Sequence, residues 1–147
     1  MRPDIVRAAR GWIGTPYRHQ ASQRGAGCDC LGLLRGVWRE VCGAEPEAPP
    51  AYSMDWDEVA RHEVLKTAAA RHLTPVAPGD MAEGDVILFR MRRDAVAKHV
   101  GICSVAGRAA AFVHAYAGHG VVESPLSLPW RRRIAGVYAF PATEDQF

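Results

Sequence analysis

No stretch of this chain reaches the ~18 consecutive apolar residues that a membrane-spanning helix requires, so no membrane insertion is expected. Its first residues, Met1-Arg2-Pro3-Asp4, lack the basic-then-apolar run of a secretory signal, and synthesis in the cytoplasm without a signal peptide is the expectation. A charge imbalance is missing too: 18 Lys and Arg against 16 Asp and Glu leave a formal net charge of +2, too small for a nucleic-acid binder. The one concentrated basic run, Arg131-Arg132-Arg133, reads as a solvated turn before a last strand. Repeats, low-complexity tracts and linkers are absent. So is any disulfide-framework spacing among Cys28, Cys30, Cys42 and Cys103, which a reducing compartment would keep as thiols. Cys28-x-Cys30 could offer soft ligands to zinc, but a second close pair is lacking and the gap is shorter than zinc pairs use. No metal and no cofactor is therefore expected.

What is present is a chain of 147 residues, 48% hydrophobic, enough for one sizeable core, so residues 1–147 are read as a single domain. Ile5, Ala8, Ala9 and Trp12 share a face at helical spacing, with Pro3 suited to the first turn and Gly14-Thr15-Pro16 as the stop. Arg18 to Gly27 is polar and aperiodic, a loop leading into Cys28-Asp29-Cys30. Leu31, Leu34, Val37, Trp38 and Val41 then recur at steps of three and four up to Gly43, so Cys30 opens a core-facing helix. Gly32 and Gly36, one turn apart on it, predict close packing against a neighbouring backbone. Residues 44–80 read as a helical insertion or cover, with Asp55 and Glu58 as a capping box for a helix to about Leu73. After Pro78-Gly79-Asp80 come short apolar runs: Val86 to Phe89, His99 to Val105, Ala110 to Ala115, Gly120 to Glu123 and Ile134 to Phe140. Helices followed by about five strands predict an α+β fold with a mainly antiparallel sheet.

A cysteine in the first turn of a helix faces backbone N–H groups and the positive end of the helix dipole, which favour the thiolate and could also hold an oxyanion. Cys30 is so placed, although the neighbouring Asp29 opposes ionisation. Cys42 and Cys103 sit inside apolar periodic segments and read as small buried hydrophobes. Of the histidines, His62 and His72 fall on the middle helix. His99 begins an apolar strand followed by Gly101. His114 ends the next strand at the same level if the two pair through a turn near Gly107. Two histidines side by side at one end of a sheet fit a base and the group that orients it.

Gly14-Thr15-Pro16-Tyr17, Cys28-Asp29-Cys30-Leu31-Gly32-Leu33, Gly84-Asp85-Val86-Ile87-Leu88-Phe89 and His99-Val100-Gly101-Ile102 resemble, in this order, the NlpC/P60 peptidases, from about Ala8 to Phe140. The resemblance implies a papain-like fold and a thiol endopeptidase acting on peptidoglycan stem peptides. Cys30 would be the nucleophile, His99 the base and His114 its orienting partner, with Tyr17, Asp29 and His19 at the substrate cleft. Many members carry serine after the catalytic cysteine and tryptophan two residues beyond the tyrosine, where this chain has Leu31 and His19. The Cys-Asp-Cys-Leu-Gly-Leu form is similar to the phage-type branch, which includes cell-wall peptidases of phage tails and gene transfer agents. That branch implies peptidoglycan and tail-tip or hub proteins as partners, and delivery to the periplasm on a virion or phage-like particle. A catalytically silent tail-tip protein and a thiol amidase on the same scaffold are the alternatives.

Overall fold

Proline at the first helical position forfeits no hydrogen bond, and Pro3 opens α1 (Pro3–Arg10), which buries Ile5, Val6 and Ala9. The structure, a computed structural model, describes residues 1–46, 64–92 and 97–142. Between α1 and the next helix, the segment read as an irregular loop holds a two-stranded hairpin, β1 (Ser22–Gln23) and β2 (Gly27–Cys28). It carries too few residues for a hydrophobic alternation to show. The second helix, α2 (Cys30–Val41), buries Leu33 and Val37.

Both helical glycines of α2 are forced by contact. A Cβ on Gly32 would fall on the carbonyl of Ala21, as the expected backbone approach requires; one on Gly36 would fall on the Trp12 indole, a side chain. Trp12 is 2% exposed, and its Nε1 donates to Glu40 Oε1 at 2.9 Å, so the ring that locks α1 against α2 keeps its polar edge satisfied.

The proposed capping box at Asp55 and Glu58 lies outside the described residues. The described part of that region holds α3 (Val64–His72) and β3 (Thr74–Val76), followed by a 3-10 turn at Pro78–Asp80. Leu65 and Ala69 of α3, with Leu73 directly after it, are buried in the main core. The five expected strands form as β4 (Val86–Arg90), β5 (Ala97–Val105), β6 (Ala111–Tyr116), β7 (Gly120–Pro125) and β8 (Ile134–Ala139), with α4 (Leu128–Arg131) before the last. They join β3 in a six-stranded antiparallel sheet of order β3-β8-β4-β5-β6-β7. The extra strand, β3, contains Pro75 and lies at the edge, where a residue without N–H is tolerated.

The sheet is covered on both faces, so its strands read as continuous apolar runs rather than alternating ones. Val86, Leu88, Val100, Ile102, Val113 and Ala115 pack with α1 and α2. Ile87, Phe89, Cys103 and Phe112 point the other way, under Leu126 and Trp130. The β5–β6 ladder runs through Cys103↔Phe112 and Ile102↔Val113 and goes no further toward the start of β5, whereas β6 stays paired with β7 as far as Tyr116↔Gly120. Strands β5 and β6 therefore part at the end of the sheet where β5 begins.

Overpacking a rigid core site costs about 1–3 kcal/mol, so Gly36→Ala is expected to lower unfolding free energy by about that much. Gly79, with nothing within 4 Å of its missing Cβ, supplies the control: Gly79→Ala should stay within about 0.5 kcal/mol of wild type in the same urea titration.

Candidate active site

The start of α2 is set by Asp29. Its backbone is extended (φ −101°, ψ −171°), its Oδ1 accepts the N–H of Gly32 at 2.7 Å, and its carbonyl accepts the N–H of Leu33 at 2.9 Å. Oδ2 accepts the N–H of Gln20 at 2.7 Å, and Gln20 takes a left-handed φ of 63° to present it. Asp29 is 3% exposed. It was expected to line the cleft, but its carboxylate lies beneath the loop as a helix cap. Two first-turn donors, the N–H groups of Cys30 and Leu31, remain beside the Cys30 sulfur and favour its charged form.

The sulfur sits where β5 and β6 part. Cys103 exchanges hydrogen bonds with Asp85 and Gly84, so by alternation the backbone groups of residues 98 and 100 turn toward β6. With β6 withdrawn, Cys30 takes that place: its thiol donates to the Lys98 carbonyl at 3.9 Å, and the Val100 N–H hydrogen-bonds the sulfur. The residue between them is His99.

His99 projects from the face opposite α2, beside its register partner Phe89. Its Nε2 lies 2.8 Å from Nδ1 of His114, whose Nε2 lies 2.9 Å from Ser124 Oγ. If each imidazole donates outward from Nε2, the chain ends on the serine oxygen and leaves Nδ1 of His99, the ring nitrogen nearer the main chain, as a free acceptor. Gly101 makes the arrangement fit, since a Cβ there would come within 2.7 Å of Phe112 Cδ2 and 3.3 Å of His114 Cβ. Phe89, Phe112, Tyr116 and Trp130 close around the two imidazoles.

Burial dominates the electrostatics. Cys30 keeps some residue surface, yet its sulfur is desolvated. That desolvation and the charge on Asp29 push its pKa up to about 12, which the three backbone N–H groups offset only in part. The thiolate expected from the helix terminus is thus a thiol at rest. Desolvation, with repulsion from His114, pushes His99 down to about 3. Desolvation, with repulsion from His119, pushes His114 down to about 4. At rest the thiol and both imidazoles are thus neutral.

Tyr17 reaches the same place by main-chain pairing: it bridges Cys28 in parallel, with Cys28 N on Pro16 O and Arg18 N on Cys28 O, each at 3.0 Å. Its phenol is pushed up to about 12 by burial and by the nearby Cys30, Asp29 and Cys28, so it remains a hydrogen-bond donor. His19 stands at the rim, its Nδ1 3.8 Å from Asp29 Oδ2 and its side chain 34% exposed. Cys28 and Cys103 are fully buried. Among the described residues, no group of three His, Cys, Asp or Glu side chains is placed to hold a metal ion.

Sequence reasoning did not find Ser124 or Trp130. The first follows from the β6–β7 register, which sets Val122 opposite His114 and Ser124 two residues on; Trp130, in a short turn after Pro129, carries no periodic signal. Arg131, Arg132 and Arg133 are exposed ahead of β8, as the sequence implied, and Arg131 also donates to the carbonyls of Leu126 (3.0 Å) and Gly107 (3.2 Å).

The NlpC/P60 family model matches residues 14–138. Over 137 residues, 92% of this chain, the sequence is 28% identical to the gamma-DL-glutamyl hydrolase of Bacillus subtilis (strain 168), of whose length the chain spans 29%. The fold is similar to an NlpC/P60 family protein from Bacillus cereus ATCC 10987, with TM-score 0.67, 20% identity, and 95% of this chain covered against 40% of that one. It is also similar to the NlpC/P60 domain of the peptidoglycan hydrolase SagA, with TM-score 0.65, 19% identity, and 95% and 99% of the two chains covered.

The two imidazoles bind protons less readily folded than unfolded, where histidine titrates near 6.5, so acid favours the unfolded chain. The stability they contribute is complete above about pH 6.5 and drains away as pH falls toward their folded values. Thermal melts should show Tm at about pH 5 lower than at about pH 7.5 by at least ~3 °C, and a smaller drop in the variant carrying both His99→Asn and His114→Asn. Equal slopes in variant and wild type would contradict the buried neutral pair.

Proposed function

Because the chain belongs to the NlpC/P60 family, we propose that it is a cysteine endopeptidase of peptidoglycan stem peptides in which Cys30 attacks, His99 takes its proton and His114 orients His99. The observation that carries this reading is the seating of the sulfur on the Lys98 carbonyl and Val100 N–H, astride a histidine that is itself hydrogen-bonded to a second.

With both groups neutral at rest, ionisation belongs to the attack itself. The Cys30 S–H bond breaks as the Nδ1–H bond of His99 forms, and the sulfur's electron pair adds to the amide carbonyl carbon. Charge moves onto the carbonyl oxygen, where the first-turn N–H groups of Cys30 and Leu31 and the Tyr17 hydroxyl are the nearby donors. Collapse of this intermediate breaks the C–N bond, and the His99 imidazolium gives its proton to the departing amine. A water that gives its proton to His99 then adds to the thioester carbonyl carbon, the C–S bond breaks to free the carboxyl product, and the His99 proton returns to the Cys30 sulfur. His114 accepts from His99 Nε2–H throughout, so the base changes charge without turning its ring.

The Bacillus subtilis relative is named for cleaving gamma-glutamyl bonds, which supports a γ-linked glutamyl bond of the stem peptide as the target here. The partial exposure of the His19 side chain, at the position where many members carry tryptophan, supports a substrate-facing role for it. The Cys28-Asp29-Cys30-Leu31-Gly32-Leu33 form supports carriage on a phage-type tail that brings the enzyme to the periplasm, with tail-tip or hub proteins as partners.

Digests of purified peptidoglycan followed by mass spectrometry should release fragments with new amino termini next to D-glutamate. Cys30→Ala should abolish release, and His99→Ala should slow it by roughly 100- to 10,000-fold. Undiminished release by the Cys30→Ala protein would end the proposal, and fragments freed at the sugar-linked amide would make the protein an amidase.

A further inference from the structure

We propose that Trp130 is a positioning residue whose indole face stabilises the imidazolium that His99 becomes on accepting the Cys30 proton; this rests on His99 being the base. The His99 ring touches several others, and Trp130 alone among them lies nearly parallel to it, at 5.6 Å between centroids and 29° between planes. Phe89 is tilted by 40°, Tyr116 by 64° and His114 by 79°. An indole face carries the negative part of the ring quadrupole, which attracts a cation far more than a neutral ring. His99 is 7% exposed, so water does little for its charge, and burial already holds it neutral. The indole therefore does least in the resting thiol–imidazole state and most once the proton has moved from sulfur to Nδ1, which is where a group must act to speed the step.

Trp130 is also held for this task. It sits on α4, whose Arg131 is tied to the carbonyls of Leu126 and Gly107, and it forms T-shaped pairs with Phe112 and His114, at 5.2 Å and 5.3 Å between centroids. The titratable and charged groups around the imidazole are His114 and Tyr116 from β6, Cys30 from α2 and, at the indole, Arg133, whose Cζ lies 6.0 Å from the Trp130 ring. Arg133 is exposed, so solvent screens its repulsion of a cation on His99.

Alkylation by iodoacetamide reads the proton transfer without substrate, because only the thiolate reacts. At neutral pH, Trp130→Leu should alkylate Cys30 roughly 3- to 30-fold more slowly than wild type, with Trp130→Phe between them. All variants should react alike once denatured. If the Leu variant does not fold, Trp130→Met supplies a long apolar side chain without a π face. A Leu or Met variant that reacts as fast as wild type overturns the proposal, and so do Phe and Leu variants slowed equally, since packing alone would explain them. His99→Ala reacting at the wild-type rate would instead remove the base assignment on which the proposal stands.

Discussion

The site depends on β6 leaving β5 after Ile102↔Val113. A strand edge abandoned by its neighbour has carbonyl and N–H groups that must be satisfied. Here the Lys98 carbonyl and Val100 N–H are met by a sulfur from the end of α2. This solves a geometrical problem. The helix packs on one face of the sheet and His99 projects from the other, so a thiol lying above an unbroken sheet would be screened from the imidazole by the strands themselves. In the gap, the sulfur is level with the main chain on either side of His99.

Around that gap the protein places few charges and many caps. Asp29, the nearest carboxylate, is fixed by Gly32 and Gln20 N–H groups, which keeps α2 starting at Cys30 and leaves two N–H groups by the sulfur. The same carboxylate and the same burial hold the thiol protonated, while burial holds the imidazoles neutral. A charge pair is therefore costly in this buried site. It forms only as groups that respond to charge come into use: the His114 acceptor, the first-turn donors and the indole face.

Much of this was legible in the sequence, because the features concerned are local. The helix opening at Cys30, the five apolar runs and the level meeting of His99 and His114 through the Gly107 turn follow from spacing. What was not legible depends on partners distant in the chain. The break in the β5–β6 ladder leaves no trace in the apolar pattern of either strand. Ser124 matters through a cross-strand register, and Trp130 through the folding of a short turn onto the far face. The desolvation that raises the Cys30 pKa comes from packing by distant residues, whereas the helix terminus that lowers it can be read from sequence. Pro75 hid a strand, since proline argues against a strand everywhere except the edge it occupies.

The claim on which the account rests is that His99 waits as a neutral base with no proton on its Nδ1. Long-range 1H–15N NMR of the histidine rings at neutral pH tests it directly. The account predicts that His99 is protonated at Nε2 alone, with His114 Nδ1 as its acceptor. A proton on His99 Nδ1, whether in the other tautomer or in an imidazolium, would contradict it.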